Sequence, residues 1–396
     1  MSAIDYIPGS FKTTMLPQWW GAVGDGVADD TAAIQSAIDH TPNGGDVYLP
    51  PGNYKITAPL TLSTNVKVRG SGEYTSAITQ ADAGENIFSL YGQGGDTRFV
   101  VERLWLNGGL NGLSLESGYL DRVSSFRDLR FTAQAHAGIQ VLGAMIGCQH
   151  SNLSMENTGL YGIYTAATDA LGATCWSHVR VAGADTAGVY IEQPSDGSLQ
   201  PAITFINPVI EYNEGVGLVA DSSQLVLINA HFEGNCASNP NASKYDTGGP
   251  DICIDSNYPD AIGTAWGSVT MIGGVFSSAG NGQYDSGTAC RVWGNNYGTR
   301  FTSMRTFYRN DDRIDCKDHA DKLLSNLIEH EGTVTVLGSH ARLGYYGTKF
   351  PGFEQTYVAA VQSLGFFGAT PVVQQTATDL ATVITALQNL GLIATP

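Results

Sequence analysis

A repeat constrains this chain more than any other feature of its sequence. The stretches "LWLN", "LRFT", "LSME", "VRVA", "PVIE", "AHFE" and "GVFS" align on their third residue: Leu106, Phe131, Met155, Val181, Ile210, Phe232 and Phe276. Their spacings are 25, 24, 26, 29, 22 and 44, the last being twice 22. Weaker copies follow at Phe307 and Ile328. A second apolar series trails the first by seven or eight residues, in "GLSL", "GIQV", "GIYT", "GVYI" and "GLVA". It aligns Leu113, Ile139, Ile163, Val189 and Leu218, and "DICI" and "ACRV" continue it after inserted loops. Each unit is therefore two short alternating strands separated by Gly or Asn turns. Helical repeats would show a period of 3.6, and leucine-rich repeats a regular Leu-and-Asn consensus; neither is present. What remains is a parallel β-helix, whose coils stack at about 4.8 Å with inward residues forming apolar ladders.

Composition agrees. Of 396 residues, 48 are glycine and only 14% are charged, which suits a β-rich extracellular or particle-borne protein. A formal net charge of −17 disfavours nucleic acid and anionic membrane surfaces as partners. No run reaches the 18 or so apolar residues of a membrane span, and the first 20 residues lack the apolar stretch of a secretory signal. The six cysteines, at 148, 175, 236, 253, 290 and 316, have no metal-ligand spacing and read as buried thiols. No metal or cofactor is expected.

Ahead of the repeat, "TAAIQSAI" places Ala33, Ile34, Ala37 and Ile38 on one helical stripe, with Asp29, Asp30 or Thr31 available as cap. An open coil end exposes strand edges and apolar ladder ends, so this helix is expected to close the first coil.

The pair "GAVGDGVADDTAAIQSAID" and "GGDVYLPPGNYKI" resembles the opening segment of the pectate-lyase-like right-handed β-helix proteins, bacteriophage tailspikes in particular. The resemblance, with the coils to about residue 335, covers most of the chain. It implies a single-stranded right-handed parallel β-helix over residues 47–335, after an N-terminal segment and capping helix (1–46) and before a C-terminal segment (336–396). It also implies action on a bacterial surface polysaccharide, a virion location, and trimeric assembly. Only about 20 residues precede the motif, so the separate particle-anchoring domain common in tailspikes is expected to be missing or much reduced, which leaves docking through residues 1–20 or through another tail protein. In the C-terminal segment Leu380, Val383, Leu387 and Leu390 recur at three- and four-residue steps. That spacing fits either a helix capping the last coil or a short helical bundle holding a homotrimer.

Outward strand positions offer two acidic rows. Glu156, Glu211 and Glu233 follow the first ladder, with Glu329 in the weak copy; Glu116, Glu192, Asp221 and Asp255 follow the second. Paired carboxylates are what glycoside hydrolysis requires. Glu211 and Glu233, in adjacent coils, are the expected catalytic pair, with Asp221 and Asp255 as the fallback. Glu156, His178, Arg180 and His231 are expected to line the substrate. Insertions near these coils bring Tyr245, Tyr258, Trp266 and Tyr284, whose rings can stack on sugars. The same glutamates could equally bond turn amides and recur for that reason alone. Three functions stay open: a depolymerase acting by hydrolysis, a non-catalytic receptor-binding spike, and a polysaccharide lyase using Arg180 with His231 or a tyrosine.

Overall fold

The inward ladders form, and they pack as parallel strands. The protein is seen as a computed structural model that describes residues 14–62, 65–92, 97–120, 124–165, 171–192, 200–220, 223–235, 251–254, 268–277, 290–294, 300–304, 307–309, 314–317, 328–331, 353–358, 361–366, 372–373 and 387. It divides into two compact units, Met1–Ala184 and Asp185–Pro396.

In the first unit, Ile78, Leu106, Phe131, Met155 and Val181 are successive register partners in one fully buried ladder. Leu60, Phe88, Leu113, Ile139 and Ile163 form the second. A third, shorter sheet pairs Tyr119–Leu120, Ala144–Ile146 and Leu171–Gly172. Both named ladders recur in the second unit: Ile210, Phe232 and Phe276 in one, and Val189 with Leu218, Ile252, Val292 and Cys316 in the other. The architecture is a right-handed parallel β-helix.

Three registers differ from the sequence expectation. Phe232 pairs directly with Phe276, their rings stacked at 5.0 Å, so the 44-residue interval is one coil swollen by insertions. Phe276 then pairs with Tyr308, placing Phe307 one residue off the ladder, beside Val275. Two adjacent aromatics defeat a period-2 reading there, since a one-residue slip exchanges the two faces. Ile328 pairs with Phe301 and so belongs to a different ladder, through Val269, Leu225 and Ile203.

Left-handed corners recur in two rows among the described residues. One row has Arg103, Asp128, Asn152 and His178 in the first unit, and Asn207, Asn229 and Gly273 in the second. The other lies two residues past each first-ladder residue: Gly108, Ala133, Asn157 and Gly183, then Tyr212 and Gly234. A corner residue interrupts the strict alternation, so the inward set changes parity across it. Phe126, His150 and Trp176 thereby point inward and stack, at 4.7 and 4.2 Å between ring centroids.

At the N-terminal end the helix Thr31–Asp39 buries Ala33, Ile34, Ala37 and Ile38. Asp29 supplies the capping interaction, accepting from the Thr31 amide at 3.0 Å and from the Thr57 hydroxyl at 2.7 Å. Asp30, buried, instead accepts from the amides of Val23 and Gly24 at 2.7 and 3.0 Å, fixing the turn before the helix. Strand pairing already includes Thr14–Met15 and Asp25–Asp29, ahead of the first sequence repeat. Phe353–Val358, Val361–Phe366 and Val372–Val373 form a small antiparallel sheet. Of the C-terminal heptad residues only Leu387 is described, in helical conformation; Leu380, Val383 and Leu390 lie outside the described residues. Among the described residues no helix is long and apolar enough to cross a membrane. The described cysteines Cys148, Cys175 and Cys253 are free thiols.

Candidate functional site

In the second unit the strands Val209–Glu211 and Ser223–Glu233 lie in parallel register, with Val209 opposite His231, Ile210 opposite Phe232, and Glu211 opposite Glu233. Because Ile210 and Phe232 point inward, their neighbours on either side point out, and two glutamates and a histidine share one exposed face. Glu211, His231 and Glu233 can each direct one polar atom into a cluster whose atoms all lie within 4.8 Å of one another. His231 Nε2 sits 3.0 Å from Glu233 Oε2. The hydroxyl of Tyr212 donates to Glu233 Oε1 at 3.1 Å. Both oxygens of Glu233 are thus held, and the donation holds the Tyr212 proton above the ordinary phenol range. Glu233 and His231 are partly open to solvent, at 23% and 31% of side-chain area.

Two carboxylates at this separation are a chemical pair: one can give a proton while the other stays ionised. Two carboxylates and an imidazole nitrogen are also donors suited to a divalent transition metal. That donor set has no sequence spacing to betray it, since it is assembled across coils.

Tyr212 is the residue that sequence reasoning missed. Its corner position is filled elsewhere by Gly108, Ala133, Asn157, Gly183 and Gly234, so the signal was a bulky aromatic in a column of small residues and Asn.

Of the other candidates that are described, Glu116, Glu156, His178 and Arg180 belong to the first unit. In the first unit Glu156 is clasped between two arginines, Arg180 at 2.6 Å and Arg130 at 3.1 Å. Arg130 in turn lies over the rings of Trp105 and Tyr74, at 5.0 and 5.4 Å. Trp105, Arg130, Ser154 and Arg180 are successive register partners on this outward face. His178 is exposed at a left-handed corner with φ 54°, a position equivalent to Arg103, Asp128 and Asn152 in the preceding coils. Glu116 of the second acidic row accepts from Asn86 at 2.6 Å, a turn-bracing role. Asp221, Asp255, Tyr245, Tyr258, Trp266 and Tyr284 lie outside the described residues.

The family model "Rhamnogalacturonase A/epimerase, pectate lyase-like" matches residues 19–97. The mannuronan C5-epimerase AlgE1 of Azotobacter vinelandii is 38% identical over 109 residues, 24% of this chain and 8% of the epimerase. Depolymerase 1, capsule K3-specific, of Klebsiella phage KP32 is 37% identical over 108 residues, 23% of this chain and 12% of the depolymerase. The chain therefore spans about a tenth of the length of these relatives. The solved A-module of the A. vinelandii epimerase AlgE4 superposes with a TM-score of 0.55 at 17% identity, over 84% of this chain and 98% of that one. The chain thus folds as a right-handed parallel β-helix, with a segment similar to the pectate-lyase-like family model over residues 19–97 and to part of a phage capsule depolymerase.

Proposed function

We propose that this protein binds and cleaves a bacterial surface polysaccharide by glycoside hydrolysis, with Glu211 and Glu233 as the acid/base pair. The observation that carries the reading is their register pairing, with polar atoms within 4.8 Å, on an exposed sheet face. The two hydrogen-bonded oxygens of Glu233 suit the ionised member of the pair. Support of a different kind comes from relatives whose names describe action on mannuronan and on a capsule. Elimination from a uronate has an observation of its own, the hydroxyl and imidazole beside Glu233, which could handle a carbon-bound proton. Hydrolysis stands first because Glu211 and Glu233 supply the paired carboxylates that it requires. The same reading includes extracellular action from a virion, assembly as a homotrimer through the C-terminal segment, and docking to a tail protein through the N-terminus.

Glu211→Gln and Glu233→Gln test the pair. Each is expected to lower turnover of K3 capsular polysaccharide or mannuronan by roughly two orders of magnitude or more, the loss typical of removing an acid or base. Unfolding midpoints should remain near the parent's, because an amide oxygen still accepts a hydrogen bond. Parental rates in both variants would reduce the row to turn scaffolding; no cleavage of either glycan by the parent, with binding retained, would favour a receptor-binding spike.

A further inference from the structure

Tyr212 occupies a backbone conformation that its neighbours in the same row reserve for small residues. At φ 51° it is left-handed, a region uncommon for non-glycine residues and an outlier for bulky ones. The equivalent positions carry three glycines, an alanine and an asparagine. Its amide donates to the Glu233 carbonyl oxygen at 2.8 Å, so the corner is locked to the coil that carries the candidate carboxylate. Its side chain does not withdraw into the coil: 49% of the residue is exposed, beside Glu211 in sequence and bonded to Glu233 in space. Residues held in sparsely populated backbone regions cluster where geometry serves a site.

From this we infer that Tyr212 has two duties: its hydroxyl positions Glu233, and its exposed ring is the floor on which a sugar unit stacks. The inference rests on the glycan-cleaving reading above, but it separates into parts that can fail independently. The hydroxyl and His231 grip opposite oxygens of Glu233, so the carboxylate cannot rotate away from Glu211 without breaking a bond. The ring offers an apolar face with few internal degrees of freedom, the kind of surface that sugar rings stack on. Presenting that face outward is what the left-handed backbone accomplishes, because it turns the chain at the coil's edge.

Three variants on the full chain decide the matter. Tyr212→Phe keeps the ring and removes the donor. It is expected to lower kcat on K3 capsular polysaccharide or mannuronan by about 10-fold or more, the loss of one hydrogen bond to a charged group, with KM and glycan Kd little changed. Tyr212→Asn and Tyr212→Gly suit the left-handed corner, as Asn157 and Gly234 show, and remove the ring. Both are expected to weaken glycan binding in affinity electrophoresis as well as turnover, while their urea midpoints equal or exceed the parent's. A Tyr212→Phe enzyme at parental kcat would overturn the positioning role. Unchanged glycan affinity in Tyr212→Asn would overturn the stacking role. A lower urea midpoint in both Tyr212→Asn and Tyr212→Gly would make Tyr212 a packing residue and overturn the inference outright, whether or not either glycan is bound. If instead Glu211→Gln and Glu233→Gln cleave normally while Tyr212→Asn loses affinity, the acid/base reading falls and the sugar floor stands.

Discussion

His150 is enclosed between Phe126 and Trp176 and fully buried, its Nδ1 accepting from the Phe126 amide at 3.1 Å. Its Nε2 meets no hydrogen-bond partner among the described residues. Burial depresses its pKa from 6.5 to about 3. The unfolded chain takes up a proton near pH 6.5 that the folded chain refuses until about pH 3, so stability falls as pH falls through that window. The slope from this one group is about 1.4 kcal/mol per pH unit. His150→Phe is therefore expected to flatten the pH dependence of the urea midpoint between pH 6 and 4 (about 1.4 kcal/mol less loss per unit than the parent), whatever it does to absolute stability. Identical slopes in parent and variant would contradict the burial argument. Strict alternation back from Leu153 and Met155 puts His150 on the outside; the left-handed Asn152 between them reverses the parity. That corner is set by backbone conformation in a non-glycine residue, so the buried His150 was not legible in the sequence, and Tyr212 showed only as an aromatic in a column of small residues and Asn. Glu211, Glu233 and His231, which flank ladder residues with no corner between, were legible.

Elements form where sequence and coil geometry agree. The glycine before each second-ladder residue, as in "GLSL" and "GIQV", was visible as a repeat but not its reason. Its reason is space: a Cβ on Gly112 would lie 2.7 Å from the Gly138 carbonyl oxygen and against the ring of Phe131. One on Gly138 would lie 2.9 Å from the Gly162 carbonyl oxygen and 3.2 Å from Met155 Cγ. The two ladders meet at this column, and each glycine lets one coil's backbone approach the next. Gly112→Ala should cost about 1–3 kcal/mol by overpacking, read as a lower urea midpoint. A neutral result would mean that the column is looser than these distances. The helix Thr31–Asp39 was readable, since its four buried residues recur at helical spacing. Registers failed where the pattern was degenerate, at the paired aromatics Phe307 and Tyr308 and across the insertions before Phe276.

At the scale of the whole molecule the chain is acidic, with a net charge of −17, yet its charged groups are locally arranged. Glu102, which burial alone would push up, is held below the ordinary carboxylate range by hydrogen bonds from Lys67 and Arg127. Glu156 sits between Arg130 and Arg180. The cluster of Glu211, Glu233, His231 and Tyr212 is different in kind: two carboxylates lie side by side, and the groups that hold Glu233 are a phenol and an imidazole. That arrangement makes the central claim specific about products. Carboxyl groups about 5 Å apart leave no room for a water between them, so the hydrolysis proposed above is expected to run through a glycosyl-enzyme and to retain anomeric configuration. The measurement is proton NMR of freshly released oligosaccharides, followed alongside reducing ends and the ultraviolet absorbance of unsaturated uronates. The account predicts new reducing ends that first appear in the anomeric form of the cleaved linkage, with no ultraviolet signal. Unsaturated products, or first-formed ends of inverted configuration, would contradict it.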